Sequence, residues 1–496
     1  STPQFTTGDK DKDLKRTICI IKDPLSSSIE DQRLTMSDAF FKVEKDDIQE
    51  FEPNLDSNKG VQGVANLAAS KGFLVAATAS SRSDEMALFV TQDTITWHRA
   101  IFPDSDKHDH SHQLNQGAYT VLERTNYSIQ IDVMTTRPSN PMGVLFTSNS
   151  NGTFFTENVE YTNRNRDGLV DFEKITGIQG VYLVNTVENG KEVEKSRKTK
   201  KIITQITFDD GRTFAPIKSG DDRIQLHSVT EIDNTGRIFS SPAPGIVMGN
   251  GNKGESLGKF EESDLYVSDD AGLTWKKALE GPHKYEFGGA GSVLVAVKDS
   301  KKADIEEISY SLDHGEEWKK MKLPDGLKVK PDFLTTTQDS TSLKFILVGE
   351  NSDGFHVMSI DFDGLHESTC KDSDMEDWSA RVDKDGKPTC IMGHKQTFNR
   401  RKKSAKCLVK SDFKEPVAKS EACECTDEDF ECDYNFTRDS EDNKKCKQTG
   451  RIVIPDGECK KSDGKFKGSS GWRLIPGNNC KRKDGKQKDD LVEHDC

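Results

Sequence analysis

One short pattern returns along the first three quarters of the chain and limits what it can fold into: a strand-like segment, then Ser/Thr-x-Asp-x-Gly-x-Thr-Trp/Phe. The clearest copy runs from Ser268 through Asp270 and Gly272 to Trp275. Thr207 to Phe214, with Asp209 and Gly211, and Ser311 to Trp318, with Asp313 and Gly315, match it closely. Three copies are weaker: Thr91 to Trp97 keeps Asp93 but has lost the glycine, Thr147 to Phe154 carries Asn149 for the aspartate, and Met36 to Phe41 keeps only the outline around Asp38. Counted from the aspartate position, successive copies lie 43 to 61 residues apart, the length of a four-stranded propeller blade.

The pattern has a structural reading. An aspartate accepts turn amides, glycine supplies a positive φ, and the closing aromatic (Trp275, Trp318) packs across the hairpin. The recurring aspartates are therefore assigned to turns and not to catalysis. The segments leading into the motifs alternate as strands do, for example Ile202 to Phe208. Only 33% of the residues are hydrophobic and mean hydropathy is −0.73, which suits many short strands with a thin, distributed core.

The longest apolar runs, such as Ser292 to Val297, are strand-sized, and the chain opens on a polar stretch with no signal-peptide pattern. It reads as a processed or excised piece. A net charge of −14 argues against a general nucleic-acid binder and for protein partners. No cofactor and no metal site is expected.

Ten of the eleven cysteines fall at Cys370, Cys390, Cys407, Cys423, Cys425, Cys432, Cys446, Cys459, Cys480 and Cys496. Their number and density read as a disulfide framework formed in an oxidising compartment, with connectivity open. Zinc knuckles would need repeated ligand pairs, and only Cys423-x-Cys425 is tight. Three sequons, at Asn126, Asn151 and Asn435, also point to the secretory pathway. The predicted domains are residues 1–365, a propeller, and residues 366–496, a disulfide-rich module.

The turn motif resembles the Asp-box of sialidases and other glycosidases and of sortilin-type receptors. Further stretches resemble the sortilin family of vacuolar and endosomal sorting receptors: Glu280-Gly-Pro-His-Lys-Tyr285, Cys390-Ile-Met-Gly-His-Lys-Gln-Thr-Phe398, Cys423-Glu-Cys425 through Tyr434, and Gly471-Trp-Arg-Leu-Ile-Pro-Gly477. Asn149 to Thr153 and Val170 to Ile175 look most like the second luminal domain of the family's fungal vacuolar (carboxypeptidase) sorting receptors.

The resemblance implies an all-β fold: a partial Asp-box propeller, six to seven blades of a roughly ten-bladed family propeller, followed by the ten-cysteine module. The unpaired Cys19 fits a partner upstream of Ser1. It further implies the luminal ectodomain of a single-pass Golgi and late-endosome membrane receptor, non-enzymatic, that carries vacuolar hydrolase precursors or peptides. The membrane would be reached only through a transmembrane segment outside this chain, and an upstream receptor domain is a further partner.

In the family, cargo peptide lies along an edge strand and its carboxylate meets a positive side chain. The matching strand here is Phe73 to Thr78, giving Val75 and Ala77 as cargo-binding residues with Tyr119 from the next blade. Ala77 stands where the family has a hydroxyl and Met86 where it has the arginine, so Arg82 is the candidate substitute. His108, His110 and His112, set among acidic residues before Tyr119, are candidates for a pH-dependent release switch. The basic runs Lys195 to Lys201 and Arg400 to Lys403 read as solvated loops.

Two rival readings differ in class. A glycosidase needs an acid/base carboxylate pair or a tyrosine nucleophile, and none can be assembled from residues outside the turns. A structural spacer or dimerisation domain would have the same fold and no cargo.

Overall fold

The computed structural model describes residues 9–496 except 23, 27, 29–30, 46, 56–62, 71, 80–85, 104–118, 126, 197, 235–238, 300–303, 366–367, 411–413, 440–441, 443, 455–456, 458, 460–463 and 486. Strands dominate, and they follow one another as antiparallel meanders. Contacts divide the chain into two compact units, residues 1–170 with 426–478 and 482–496, and residues 171–425 with 479–481.

The first unit opens with the hairpin Thr17–Lys22 and Gln32–Ser37. Blade 1 follows as Val64–Ser70, Phe73–Ala79, Met86–Thr91 and His98–Arg99, paired in that order. Blade 2 is Tyr119–Arg124, Ile129–Met134, Met142–Ser148 and Phe155–Asn163. Alternate residues of the two sheets meet in one core, where Phe73, Val75, Leu88 and Val90 join Ile129, Ile131, Val144 and Phe146. On the opposite face of blade 2, Asp132 and Arg164 form an ion pair whose side chains are both fully buried. Gly143 makes room for it, because a Cβ there would lie 2.2 Å from the Asp132 carboxylate.

The second unit holds four blades. Blade 3 comprises Phe172–Lys174, Tyr182–Val187, Ile202–Thr207 and Ala215–Pro216. Blade 4 comprises Asp222–Leu226, Val247–Lys253, Asp264–Ser268 and Lys276–Leu279. Blade 5 is His283–Gly288, Val293–Lys298, Glu307–Ser311 and Lys319–Lys322. Blade 6 stops at three strands, Lys330–Thr335, Lys344–Asn351 and Gly354–Asp361. Two apolar clusters join these sheets: Ile246, Met248 and Val267 with Tyr285 and Phe287, and Val293, Val295 and Ile308 with Phe345 and Leu347. Among the described residues, six blades and a leading hairpin agree with the six to seven expected.

Cysteine pairing is Cys370–Cys407, Cys390–Cys423 and Cys425–Cys480 in the second unit, and Cys432–Cys446 and Cys459–Cys496 in the first. The cysteine-rich region is thus shared between the units and does not form a third one. Residue 365 falls inside the second compact unit, residues 171–425 with 479–481. Cys19 is partly buried and unbridged.

Candidate functional site

The recurring motif folds as one turn, repeated. Asp209, Asp270 and Asp313 each accept the backbone amide four residues on, from Thr213, Thr274 and Glu317, at 2.8, 2.9 and 3.0 Å. The Ser or Thr two residues before each aspartate donates its hydroxyl to the same carboxylate at 2.8 Å. The hydroxyl oxygen also accepts the motif glycine's amide at 2.9 Å, from Gly211, Gly272 and Gly315. These glycines take φ of 91°, 86° and 86°, and the residue before each (Asp210, Ala271, His314) is also left-handed. Each tryptophan closes its turn by donating Nε1–H to the motif's own glycine carbonyl, Trp275 to Gly272 at 2.9 Å and Trp318 to Gly315 at 3.1 Å.

The weak copies hold in part. Asp93 accepts the amides of Ile95 and Thr96 at 2.8 Å, and Thr94 takes the left-handed position at φ 67°. Burial pushes the Asp93 carboxyl up, but those amides outweigh it and hold it below its ordinary value. Asn149 accepts from the amides of Thr153 and Phe154. Asp38 differs: its carboxylate is gripped by Arg16 at 2.6 and 2.7 Å, and Ser37 Oγ accepts the turn amides of Ala39 and Phe41 instead. The aspartates that recur are therefore engaged in the fold and offer no acid/base pair.

The strand expected to receive cargo lies elsewhere in its sheet than predicted. Phe73–Ala79 is the second strand of blade 1 and is paired on both sides, Val75 with Ala68 and Val90, Ala77 with Asn66 and Leu88. Val75 and Ala77 are buried, so their backbone has no free edge to offer. Alternation of apolar residues identifies a strand without saying whether it is central. Val64–Ser70 and Tyr119–Arg124 are edge strands of blades 1 and 2. Tyr119 begins the second of these and packs beside Phe102, ring centroids 6.3 Å apart. In the same blade, Arg164 donates to Asp132, so this buried guanidinium is already neutralised. Arg82, His108, His110, His112 and Asn126 lie outside the described residues.

The basic run at Arg400 is a correction. Arg400 and Arg401 are 6% and 4% exposed. Arg400 lies on the strand His394–Arg401, stacks 4.3 Å over the Trp378 ring, pairs with Glu376, and donates Nη1–H to the carbonyls of Pro244 and Asp269 at 3.0 and 2.8 Å. Arg401 donates to Ser292 O and Ala405 O, and burial holds its pKa down to about 10. Lys403 pairs with Asp269 and Glu316. The run therefore clamps the turn motifs of blades 4 and 5. In the first unit Arg473 does the same for blade 2, pairing with Glu431 and donating to Thr156 Oγ1 at 2.8 Å and Thr147 O at 3.4 Å.

Of the described sequons, Asn151 is exposed on the blade 2 turn. Asn435 is 3% exposed, sits at φ 62°, and donates its amide N–H to Arg451 O at 2.9 Å. That nitrogen is the one a glycan would occupy, so the folded chain has no room for one there. Among the described residues no helix is long and apolar enough to cross a membrane.

Comparison with known proteins agrees with this geometry. A family model described as "Sortilin-Vps10: Sortilin, neurotensin receptor 3" matches residues 2–334, and the C-terminal model of the same family matches residues 336–496. A vacuolar protein sorting/targeting protein 10 of Fusarium vanettenii is 63% identical over all of this chain, and one of Neurospora crassa is 60% identical over 95% of it. One from Aspergillus clavatus is 53% identical over the full chain. The chain spans about a third of the length of these relatives. Among solved structures, the β-propeller domain of the Trilobed protease from Pyrococcus furiosus overlaps 70% of this chain and 91% of its own at 8% identity and a TM-score of 0.30. The turn motifs, the five disulfides and the two family matches that together run from residue 2 to residue 496 place this chain in the sortilin/Vps10 family of receptors, which are not enzymes.

Proposed function

We propose that this chain is the luminal, cargo-binding portion of a sorting receptor that carries soluble hydrolase precursors or peptides from the Golgi to the endosome or vacuole. The observation that supports this reading best is the commitment of the recurring carboxylates to turns, which leaves a rigid all-β scaffold whose strand edges offer backbone to a protein ligand. The relatives are named for vacuolar sorting and targeting, and the disulfides suit a luminal compartment.

The test is sorting in a fungal cell. With residues 1–496 excised from the full-length receptor, a vacuolar hydrolase precursor that depends on that receptor should appear in the medium. Retention of the precursor at the wild-type level would make this portion a spacer.

A further inference from the structure

An endoprotease binds its substrate as an extended segment, so it cuts a folded chain only where the backbone can leave its neighbours, at exposed loops. Enzymes that read paired basic residues cut after an arginine preceded by lysine or arginine. Such pairs occur three times in this chain, at Lys15-Arg16, Arg400-Arg401 and Lys481-Arg482. The fold closes the first two. Arg16 is 7% exposed, its guanidinium meets both carboxylate oxygens of Asp38 and donates to Thr94 Oγ1, and Thr17 directly after it opens a paired strand. Arg400 and Arg401 are buried, and they end the strand His394–Arg401 in register with Glu376 and Met375. Cutting at either pair requires a sheet to open.

Lys481-Arg482 differs from both. Every residue from Lys481 to Gly485 is exposed. Lys481 makes one isolated bridge, to Glu424, and residues 482–485 belong to no strand or helix. Gly485 takes φ 99°, and a Cβ there would meet no atom within 4 Å, so the loop is not packed against the body at that point. The Arg482 side chain is 47% exposed and lies fork to fork on the Asp489 carboxylate, at 2.7 and 2.6 Å. An exposed pair of this kind contributes at most about 1 kcal/mol. A protease subsite that offers carboxylates to the same guanidinium fork can therefore take the arginine over.

The geometry points to the Arg482–Lys483 peptide bond as a site of limited proteolysis in the folded chain, cut by a subtilisin-like endoprotease specific for paired basic residues. Water adds across that one bond, leaving Arg482 with a carboxylate and Lys483 with an ammonium group. The cut releases nothing from the molecule. Arg482 follows Cys480, which is bridged to Cys425, and the segment that starts at Lys483 contains Cys496, which is bridged to Cys459. A closed loop becomes two charged ends held by disulfides, and the change shows in the chain's size only after those disulfides are reduced.

The experiment treats the full, disulfide-intact chain with a purified endoprotease of that specificity and follows intact mass before and after reduction. The unreduced chain should gain one water, and reduction should release a peptide beginning at Lys483. Arg482→Gln should abolish the cut. Asp489→Asn, which removes the carboxylate's charge from the guanidinium, should speed it about two- to fivefold. Cleavage after Arg16 or Arg401 as fast as that after Arg482 would overturn the assignment. A folded chain that stays whole while the reduced, unfolded chain is cut after Arg482 would show that the fold closes this loop too, and would also overturn it. An unfolded chain left uncut after Arg482 would mean that the sequence is not recognised, with the same consequence.

Discussion

The carbonyl oxygen of Asp269 accepts a 2.8 Å hydrogen bond from Nη1 of Arg400, 131 residues further along the chain. One planar guanidinium satisfies Asp269 O, Pro244 O and the Glu376 carboxylate while stacking on Trp378. Replacing it leaves two carbonyls without this donor and the partly exposed Glu376 without its partner. Arg400→Ala should cost about 3 kcal/mol. Arg400→Lys should recover less than half of that, since an ammonium has no fork and cannot stack flat. Urea denaturation measures both, and a lysine variant as stable as wild type would contradict the clamp.

The turn carboxylates should behave as structure. Asp270→Ala removes acceptors for Thr274 N and the Ser268 hydroxyl and should cost about 1 to 2 kcal/mol by denaturant unfolding. Cargo binding by the folded variant should stay at the wild-type level. A large loss of binding without loss of stability would mean that the turn meets ligand directly.

Glu286, on the first strand of blade 5, is 3% exposed, one of its oxygens has no hydrogen-bond partner among the described residues, and burial pushes its pKa up to about 7. The folded chain therefore holds a proton that the unfolded chain releases near pH 4.5. This acid's contribution is most favourable below about pH 4.5, declines as pH rises to about 7, and is level above, a span on the order of 3 kcal/mol. On going from pH 7.5 to pH 5, Glu286→Gln should lose about 2 kcal/mol more stability than wild type, because the gain this acid makes on protonation is gone; an unchanged pH dependence of unfolding would refute it.

His314 works in the other direction. Burial, and then the charges of Arg400, Arg401 and Lys403, hold its pKa down to about 3. The unfolded chain gains a proton near pH 6.5 that the folded chain refuses, so stability falls as pH drops from about 6.5 toward 3. His314→Asn suits the left-handed φ of 58° and should blunt that acid loss in melts between pH 6.5 and 4. A steeper loss would contradict the assignment.

What the sequence disclosed was what is local. Asp270 and Thr274 meet because they are four residues apart, so the turn, its repeat length and the blades were readable from spacing. Arg400 was misread as solvated because nothing near it in sequence reveals that Asp269 and Pro244 wait for it. Val75 and Ala77 alternate as strand residues should, but position within a sheet is decided by the strands on either side. Asn435 fits a sequon triplet, and only the fold turns its amide inward to Arg451 O. Peptide mapping of the secreted chain should accordingly find a glycan at Asn151 and none at Asn435; a glycan on Asn435 would show that this part folds differently.

The most direct test of the receptor reading is binding of a vacuolar hydrolase precursor to the immobilised, disulfide-intact chain at neutral pH, titrated to saturation. The reading predicts saturable binding that survives Asp270→Ala. No binding at any precursor concentration, from a chain shown to be folded, would contradict it.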